Sequence, residues 1–268
     1  MPPLSVRVVF LPALLTPADV DGHVVVGFDV LRATTTIAAA LAAGVSLLQL
    51  HPTLDSARAA LAAGGSEGLL IGEERCLKPA DFHLGNSPGQ FTSEHAGKSA
   101  HMATTNGTRA LLRPFTVGTP RAVLAGSLAN RLAVARACLH LLPTGGGVTL
   151  LCAGTDGEVA YEDVLGCGAV LESFVNLQCL GPVNDGGLVA MGVWTFAAAG
   201  IVRAKEGAAA YPSGFRLGQG AKNLIAAGLS EDVQLAARPD TLAVVPQVSP
   251  TGVVTALELP PLPGAMDN

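Results

Sequence analysis

Short apolar runs rich in β-branched residues alternate with helical stretches along most of this chain, and this alternation limits the possible folds more than any other feature. Val24–Asp29, Ser99–Thr104 and Val148–Cys152 are typical of strands that are buried on both faces. Helical periodicity follows such runs, for example over Thr34–Ala43 and Tyr161–Asn176. The alternation predicts an α/β fold in which helices flank a mostly parallel or mixed sheet.

The same patterns predict further strands and helices. Thr53 and Asn130 are predicted to be helix N-caps, because each places a hydroxyl or amide side chain just before a helical pattern. Asp185–Gly228 has helical character but no clear strand. The other predicted strands are Val6–Phe10, Val45–Leu50, Leu69–Gly72, Ala122–Ala125 and Leu242–Val245, and the other predicted helices are Asp55–Ala63, Thr108–Arg113 and Asn130–Leu142.

The chain of 268 residues is predicted to form a single compact domain over residues 1–268, because no low-complexity linker interrupts it. A weaker signal for a subdivision lies near residues 176–185. Hydrophobic residues make up 49% of the sequence, but glycines interrupt its two long uncharged runs, Thr34–Leu50 and Gly186–Val202. We therefore expect no membrane span.

Charge and cysteine content exclude several other classes of protein. The net charge of −5, two Tyr and one Trp argue against nucleic-acid binding, which requires a basic surface with stacking aromatic side chains. The five cysteines are odd in number and form no Cys-x-x-Cys pair, a pattern typical of reduced thiols rather than disulfides or a zinc site. The N-terminal apolar stretch Val8–Leu15 is split by Pro12 and lacks a basic leader, so we expect a cytoplasmic protein.

Four predicted strands end in small residues with hydroxyl or amide groups at the start of a helix. Ligands of open α/β sheets bind at the carboxyl ends of the strands, and free N–H groups at helix starts bind anions. Arg32 and Arg109 add guanidinium groups that suit phosphate oxygens. Ordinary helix capping explains any one loop equally well, and only their agreement indicates an anion site. The candidate contacts are Thr34 and Thr35 after the first strand, Thr105, Asn106, Gly107 and Thr108 after the second, Ser127 and Asn130 after the third, and Gly154 and Thr155 after the fourth.

Three carboxylates lie close to these loops in the sequence. Asp29 ends an apolar strand, where an unpaired buried charge is costly, and Glu162 and Asp163 open a helix on different faces. Oxygen ligands without a nearby His or Cys favour Mg²⁺ over Zn²⁺, so these three residues are the candidate metal ligands. An alternative remains in which Asp29 forms a local ion pair with Arg32, while the other two carboxylates only stabilise the helix N-terminus.

Several separated blocks of the sequence also carry a family resemblance. They are Asp29–Thr36 (DVLRATTT), Leu84–Pro88 (LGNSP), Thr104–Ala110 (TTNGTRA), Gly126–Asn130 (GSLAN), Cys152–Thr155 (CAGT) with Glu162 and Asp163, and a C-terminal group of Asp232, Val233, Asp240, Val245 and Pro246. In this order, from about residue 6 to residue 246, the chain resembles the 2-phosphosulfolactate phosphatase family.

The resemblance implies an α/β fold and a Mg²⁺-dependent phosphatase. Its substrate would be a small anionic phosphate ester, 2-phospho-3-sulfolactate, which is hydrolysed to 3-sulfolactate and phosphate. In archaeal methanogens this step belongs to coenzyme M biosynthesis, and the resemblance also implies a homodimer. By the same resemblance, Asp29, Arg32 and Arg109 are the catalytic residues, and Asn86 and Ser87 join the contacts to phosphate or substrate.

One loop departs from the family pattern. Where the family resembles Gly-Glu-Arg-Gly-Gly, this chain reads Gly72-Glu73-Glu74-Arg75-Cys76, so an acid stands at the family arginine unless Arg75 replaces it. The departure keeps two alternatives open. One is a phosphatase for another small phosphorylated hydroxy acid, and the other is a non-catalytic protein that binds a small anionic ligand.

Overall fold

Ten strands form one mixed sheet in the computed structural model, which describes residues 3–64, 67–199 and 213–259. The strands are β1 (Leu4–Val9), β2 (Val24–Phe28), β3 (Leu47–Leu50), β4 (Leu69–Gly72), β5 (Ser99–Ala103), β6 (Ala122–Gly126), β7 (Gly146–Cys152), β8 (Leu180–Val183), β9 (Pro246–Val248) and β10 (Val253–Ala256). Their order across the sheet is β4-β5-β3-β10-β9-β6-β2-β7-β1-β8.

Helices cover the sheet and connect most of its strands. They are α1 (Ala33–Ala42), α2 (Leu54–Ala63), α3 (Gly107–Leu112), α4 (Pro114–Val117), α5 (Arg131–Leu141), α6 (Tyr161–Asn176), α7 (Asp185–Ala199), α8 (Gln219–Ala226) and α9 (Ser230–Ala236). None of the helices that the structure describes is long and apolar enough to cross a bilayer.

The sheet consists of two groups of parallel strands that run in opposite directions. Strands β4, β5 and β3 are parallel to one another, and so are β6, β2, β7, β1 and β8. Between the groups, β9 and β10 make three successive antiparallel pairings, β6 with β9, β9 with β10 and β10 with β3. Because three is an odd number of antiparallel pairings, the strands of one group run opposite to those of the other. The predicted mixed sheet is therefore confirmed, and its antiparallel pairings all involve the hairpin of β9 and β10.

The core lies on both faces of the sheet. In β2, Val24, Val26 and Phe28 face the layer that contains α6, and Val25 faces the opposite layer, where it joins Ile37 of α1. All of these side chains are buried, which is why the strand lacks the polar alternation of a sheet with one face in water. The buried central strands give the loops that follow them a rigid support.

Most predicted elements agree with the structure to within one or two residues. The strand Leu69–Gly72 and the helix Tyr161–Asn176 have the predicted bounds. Thr53 is confirmed as an N-cap, because its hydroxyl accepts a hydrogen bond from the Ser56 N–H at 3.1 Å. The helical character predicted for Asp185–Gly228 is confirmed in α7 and α8, and residues 200–212 lie outside the described part of the chain.

One predicted strand is wrong, and one predicted helix cap is correct in position only. Leu242–Val245 is not a strand, because its backbone bonds irregular segments: Leu242 N–H donates to the Ala129 carbonyl, and the Val244 carbonyl accepts from the Asn130 amide. Asn130 precedes α5 but does not cap it with its side chain, whose oxygen accepts from Ser127 instead. The strands β8, β9 and β10 were not predicted from the sequence.

Candidate functional site

A cavity of about 470 Å³ opens where loops from both parallel groups meet. The loop after β2 contributes Asp29 and Arg32, the loop after β5 contributes Thr105 and Asn106, and the loop after β7 contributes Thr155. Neighbouring strands of a sheet are rotated by roughly 20–25°. Five such steps separate β2 from β5, so a rotation of roughly 100–125° is expected between these strands, which offsets part of their opposite directions. The loops can therefore converge.

Asp29 sits on the floor of this cavity at the start of α1. Its Oδ1 accepts the Ala33 N–H at 3.2 Å, and the Thr34 hydroxyl and N–H both donate to its main-chain carbonyl at 2.9 Å. Gly107 packs so closely that an added Cβ would lie 2.5 Å from Asp29 Oδ2. Burial, followed by the negative charges of Glu73 and Glu162, raises the pKa of Asp29 to about 7.

Arg32 lines the cavity but does not pair with Asp29. Its Nη1 donates to Asp232 Oδ2 at 2.7 Å and to the Ser87 hydroxyl at 3.0 Å, and its Nη2 donates to the Cys76 carbonyl at 2.6 Å. Ser87 in turn donates to Asp232 at 2.7 Å. The predicted alternative, a local ion pair between Asp29 and Arg32, is therefore wrong. Three distant segments of the chain instead fix the guanidinium.

Asp163 connects two of the loops that form the cavity floor. Its Oδ1 accepts the Val30 N–H at 2.9 Å and its Oδ2 accepts the Gly154 N–H at 3.1 Å. The residue is 2% exposed, and burial raises its pKa well above the ordinary value, with contributions from nearby acidic groups including Asp29 and Glu162. A role confined to the helix N-terminus does not describe Asp163, because its carboxylate bonds other loops.

Glu162 faces the other side of the helix start, as the sequence predicted. Its carboxylate lies against the backbone of Gly218 and Gly220 at the start of α8, where an added Cβ would collide with its oxygens. Its Oε2 is buried and has no hydrogen-bond partner among the described residues, and the same holds for Oδ1 of Asn86 in the cavity wall. Burial raises the pKa of Glu162. Both oxygens lack the partner that buried polar atoms normally have.

The chemistry of these residues fits a hard cation in part. Asp29, Glu162 and Asp163 are buried carboxylates; the charge of Glu162 contributes to raising the pKa of Asp29, and the charges of Asp29 and Glu162 contribute to raising that of Asp163. One oxygen of Glu162 and one of Asn86 are unpartnered. Oxygen donors of this kind suit Mg²⁺. In the residues that the structure describes, however, no three acidic, His or Cys side chains converge closely enough to form a complete ligand set. Both oxygens of Asp163 already accept backbone N–H groups, which leaves Asp29 and Glu162 as the better direct ligands.

A second cavity of about 680 Å³ adjoins the first, and Arg109 lies in this one. The two cavities share Glu73, Arg75, Thr105 and Asp156 as a common wall. Nε of Arg109 donates to the Pro52 carbonyl at 3.1 Å, and the side chain is exposed. The structure therefore places the two predicted catalytic arginines in adjacent halves of one cleft.

The remaining predicted contacts lie beneath the cavities or away from them. Ser127 and Asn130 bond to each other and, through the Asn130 amide, to the Ala125 carbonyl, and they do not line the cavity. Of the predicted site residues, those that line the first cavity are Asp29, Arg32, Asn86, Thr105, Asn106 and Thr155. Those that do not line it but bond or pack against its loops are Thr34, Thr35, Ser87, Gly107, Thr108, Gly154, Glu162 and Asp163.

Several acidic residues of the cleft were not predicted as site residues. Glu73 and Asp156 line both cavities, and Asp232 holds Arg32. A signal for Asp232 existed, because it is part of the C-terminal block of the family resemblance. Arg75, which the sequence offered as a replacement for the family arginine, also lines both cavities. Arg75 and Asp156 are non-glycine residues with positive φ (50° and 53°) in tight turns, a property that the sequence does not display.

Comparison with known proteins identifies the family. A family model for 2-phosphosulpholactate phosphatase matches residues 9–250 of the chain. The chain is 34% identical over 254 residues to the probable 2-phosphosulfolactate phosphatase of Gloeobacter violaceus, covering 94% of this chain and 98% of that protein. It is also 34% identical over 249 residues to the protein of the same name from Symbiobacterium thermophilum, covering 91% and 99%. With the Thermus thermophilus counterpart it shares 40% identity over 173 residues, covering 63% and 69%. The chain therefore belongs to the 2-phosphosulpholactate phosphatase family, whose name describes a phosphoric monoester hydrolase.

Proposed function

We propose that the chain is a Mg²⁺-dependent phosphatase that hydrolyses 2-phospho-3-sulfolactate to 3-sulfolactate and phosphate. The observation that supports this most directly is the first cavity, where a buried carboxylate, Asp29, and a fixed guanidinium, Arg32, line the same small space. Its relatives carry the name of this activity. A phosphoryl group needs both neighbours, because positive charge must spread its developing charge while a carboxylate directs the nucleophile.

Asp29 is the residue that acts on the nucleophile. In one version its carboxylate orients water and accepts a proton, while the water oxygen forms a bond to phosphorus and the ester P–O bond breaks. The leaving lactate oxygen then takes up a proton. Without metal, burial raises the pKa of Asp29 to about 7, and a bound cation would favour the ionised carboxylate that accepts a proton. In the other version an Asp29 oxygen forms the bond to phosphorus while the ester P–O bond breaks and the leaving lactate oxygen takes up a proton. Water then hydrolyses the aspartyl phosphate to phosphate and free Asp29.

Arg32 supplies positive charge that does not depend on substrate. Because Asp232, Ser87 and the Cys76 carbonyl hold the guanidinium before substrate binds, little reorganisation accompanies the reaction. Mg²⁺, when bound by Asp29 and Glu162 with Asp163 directly or through water, would supply further positive charge at the phosphoryl oxygens. Asn86, with an unpartnered buried oxygen beside the cavity, is a further candidate contact.

Phosphate release from 2-phosphosulfolactate, measured with Mg²⁺ and then with EDTA, tests the activity and the metal. We expect turnover with Mg²⁺, loss of it with EDTA, and loss of it in Asp29→Asn. Asp185→Asn changes an exposed acid on α7 and serves as the matched control with normal turnover. Full Mg²⁺-dependent turnover in Asp29→Asn would refute both versions of the mechanism, and acid trapping of phosphorylated Asp29 separates them.

The alternative functions give different results in the same assay. A phosphatase for another phosphorylated hydroxy acid hydrolyses 2-phospholactate at least as well as the sulfonated ester. A non-catalytic binder is stabilised against heat by the ester but releases no phosphate at any Mg²⁺ concentration. The altered turn at Glu73–Cys76, which forms part of the cavity wall, is the feature that keeps both alternatives in the test.

We also propose a homodimer in the cytoplasm. Helix α7 has no charged residue after Asp185, and its outer face exposes Leu188, Val189 and Phe196, the last of them to 75%. An apolar face of this kind is typical of protein interfaces. The five cysteines are free thiols, as in proteins of reducing compartments. Light scattering on the purified protein should give twice the chain mass, and Phe196→Glu should shift it toward the monomer.

A further inference from the structure

The cleft continues beyond the phosphate cavity into a second half that contains most of its arginines. Arg58, Arg75 and Arg109 line the second cavity, whereas Arg32 and the shared Arg75 line the first. The wall of Glu73, Arg75, Thr105 and Asp156 belongs to both, so a ligand seated on Asp29 can extend into the second half.

Two of the three arginines in the second half are available to a ligand. Arg58 is engaged by Asp55 at 2.7 Å and by Asp81 at 2.7 Å. Among the described residues, Arg109 donates only through its Nε, to the Pro52 carbonyl, and this bond orients the rest of the guanidinium. Arg75 takes part in no ion pair within residues 3–64, 67–199 and 213–259.

Arg75 has a left-handed backbone conformation, which costs conformational free energy at any residue other than glycine. Glu74 and Leu77 exchange backbone hydrogen bonds at 2.9 and 3.1 Å and close a two-residue turn, with φ of 50° at Arg75 and 71° at Cys76. Left-handed backbone costs a non-glycine residue about 1–2 kcal/mol and is normally occupied by Gly or Asn. Glu73 fixes the turn by accepting the Cys76 and Thr105 N–H groups at 2.9 and 2.8 Å. The turn thus holds the Arg75 guanidinium in the wall between the two halves.

A second turn of the same kind lies across the cleft. Thr155 and Glu158 exchange backbone hydrogen bonds, both of 2.9 Å, around Asp156 (φ 53°) and Gly157 (φ 83°). Asp156 lines both cavities. Burial raises the pKa of Cys76 in the first turn, and the negative charge of Asp156 contributes to this rise. Since Glu74 and Asp156 also line the second half, its charge is nearly balanced. Binding of an anion in the second half therefore depends on both Arg75 and Arg109.

We propose that the second half of the cleft is the subsite for the sulfonate of the substrate, with Arg75 and Arg109 as its donors. The inference rests on the proposed function, which supplies an ester with a phosphate at one end and a sulfonate at the other. A sulfonate presents three equivalent oxygens with a permanent negative charge, and two guanidinium groups match it with parallel N–H donors. Arg109 is then a residue of substrate specificity rather than of phosphoryl transfer.

The test compares 2-phosphosulfolactate with 2-phospholactate, which lacks the sulfonate. In Arg75→Gly and in Arg109→Gln we expect the ratio of kcat/KM for the two esters to fall about 10–100-fold toward the unsulfonated ester, a range typical of one lost charged contact. Arg75→Gly also removes the cost of a left-handed backbone at a non-glycine residue. If Arg75 had only a structural role, this variant would leave the ratio of kcat/KM for the two esters unchanged. Arg75→Lys should restore part of the preference, and Arg113→Gln, an exposed arginine outside both cavities, should leave it unaltered.

A gain-of-function variant tests the charge balance. Asp156→Asn preserves a residue that tolerates positive φ and removes one negative charge, so the KM for 2-phosphosulfolactate should fall relative to that for 2-phospholactate. An unchanged preference in Arg75→Gly, Arg109→Gln and Asp156→Asn would overturn the subsite while leaving the phosphatase intact.

Binding measured without turnover separates the subsite from the proposed function. Stabilisation of the wild type by 3-sulfolactate, and its loss in Arg75→Gly, supports the subsite even if neither ester is hydrolysed, which would refute the phosphatase alone. Equal stabilisation of both proteins by 3-sulfolactate counts against the subsite whatever the activity.

Discussion

The guanidinium of Arg32 donates a 2.7 Å hydrogen bond to the carboxylate of Asp232, a residue 200 positions later in the chain. The two side chains are 3% and 8% exposed. Removal of one partner of such a buried pair leaves an uncompensated charge and typically costs about 3–5 kcal/mol. Helix α9, which bears Asp232, therefore helps to fix a residue of the first cavity although it contributes no side chain to the cavity surface.

Asp232→Asn should impair both catalysis and stability. Asparagine keeps the shape of the side chain but not its charge, so Arg32 loses the anchor that holds it toward the phosphate. We expect kcat/KM to fall about 10–100-fold, together with a loss of about 3 kcal/mol in the free energy of unfolding measured with urea. Arg32→Lys should show a similar kinetic defect.

The matched control for this variant is Asp240→Asn. Asp240 pairs with Arg131 at 2.9 Å, but its side chain is 35% exposed and lies outside the cavity. Exposed pairs contribute roughly 0–1 kcal/mol, so stability should change little and kcat/KM should remain normal. If Asp232→Asn lowers stability without any change in kcat/KM of the folded protein, Asp232 has only a structural role.

The elevated pKa of Asp29 gives the metal-free protein a stability that depends on pH. The pKa is raised from 3.8 to about 7. Between these values the folded protein retains a proton that the unfolded chain releases, so the free energy of unfolding should fall as pH rises from about 4 to about 7 and then level off. Asp29→Asn cannot ionise and should show a shallower slope, while Glu162 and Asp163 maintain part of it.

Urea midpoints measured in EDTA at several pH values check this prediction. Identical slopes for the wild type and Asp29→Asn would show that Asp29 ionises normally in the folded state. The same variant should be at least as stable as the wild type at pH 8, because it no longer buries a charge. It is expected to have lost its phosphatase activity under the same conditions with Mg²⁺.

Gly107 provides the space that Asp29 occupies. In Gly107→Ala the new Cβ would lie 2.5 Å from Asp29 Oδ2 and would also collide with the Ala33 side chain. The carboxylate has to move, so we expect kcat to fall at least about 10-fold and stability to fall by about 1–3 kcal/mol, as in other overpacked sites. Steady-state kinetics and urea unfolding measure the two effects.

Gly192→Ala in α7 provides the opposite control, because no atom of the described residues lies within 4 Å of the Cβ that it adds. Alanine is a better helix former, and this variant should gain up to about 1 kcal/mol with unchanged kcat. Normal kcat in Gly107→Ala would mean that the carboxylate does not need its observed position.

Asp163→Asn should loosen the floor of the cavity. Both carboxylate oxygens accept a backbone N–H, from Val30 and from Gly154, and an amide can accept only one of them. A buried N–H without an acceptor costs about 1–3 kcal/mol. Because Val30 follows Asp29 and Gly154 precedes Thr155, we expect kcat to fall together with stability. An increase in stability with normal kcat would contradict this role.

Local sequence patterns predicted the elements but not the direction of the strands. The alternation of apolar runs and helical periodicity located β2, β5 and β7, because burial and propensity act within each segment. The insertion of β10 between β3 and β9 joins residues about two hundred positions apart, and no local preference encodes such a pairing. The opposite directions of the two parallel groups were thus beyond prediction from the sequence.

Some of the predicted site contacts line the cavity and others bond within the protein, and the sequence could not tell these two groups apart. A hydroxyl or amide at a helix start can bind a ligand or the protein's own backbone, and the sequence does not distinguish the two. Thr105 and Thr155 line the cavity, whereas Ser127 and Asn130 bond to each other. Asp29 could be predicted because an unpaired carboxylate at the end of an apolar strand is costly and indicates a functional role. That Arg32 pairs with Asp232 rather than with Asp29 depends on the three-dimensional fold.

The antiparallel hairpin of β9 and β10 also decides when the cleft can exist. Glu73 and Thr105 follow strands of one parallel group, and Asp29 and Thr155 follow strands of the other. Residues 246–256 are the only strands of the described sheet that lie between the groups. During synthesis, the two walls therefore remain without their common seam until residues 246–256 have left the ribosome. The cleft can form only then, long after the strands that precede Asp29 and Glu73 have been made.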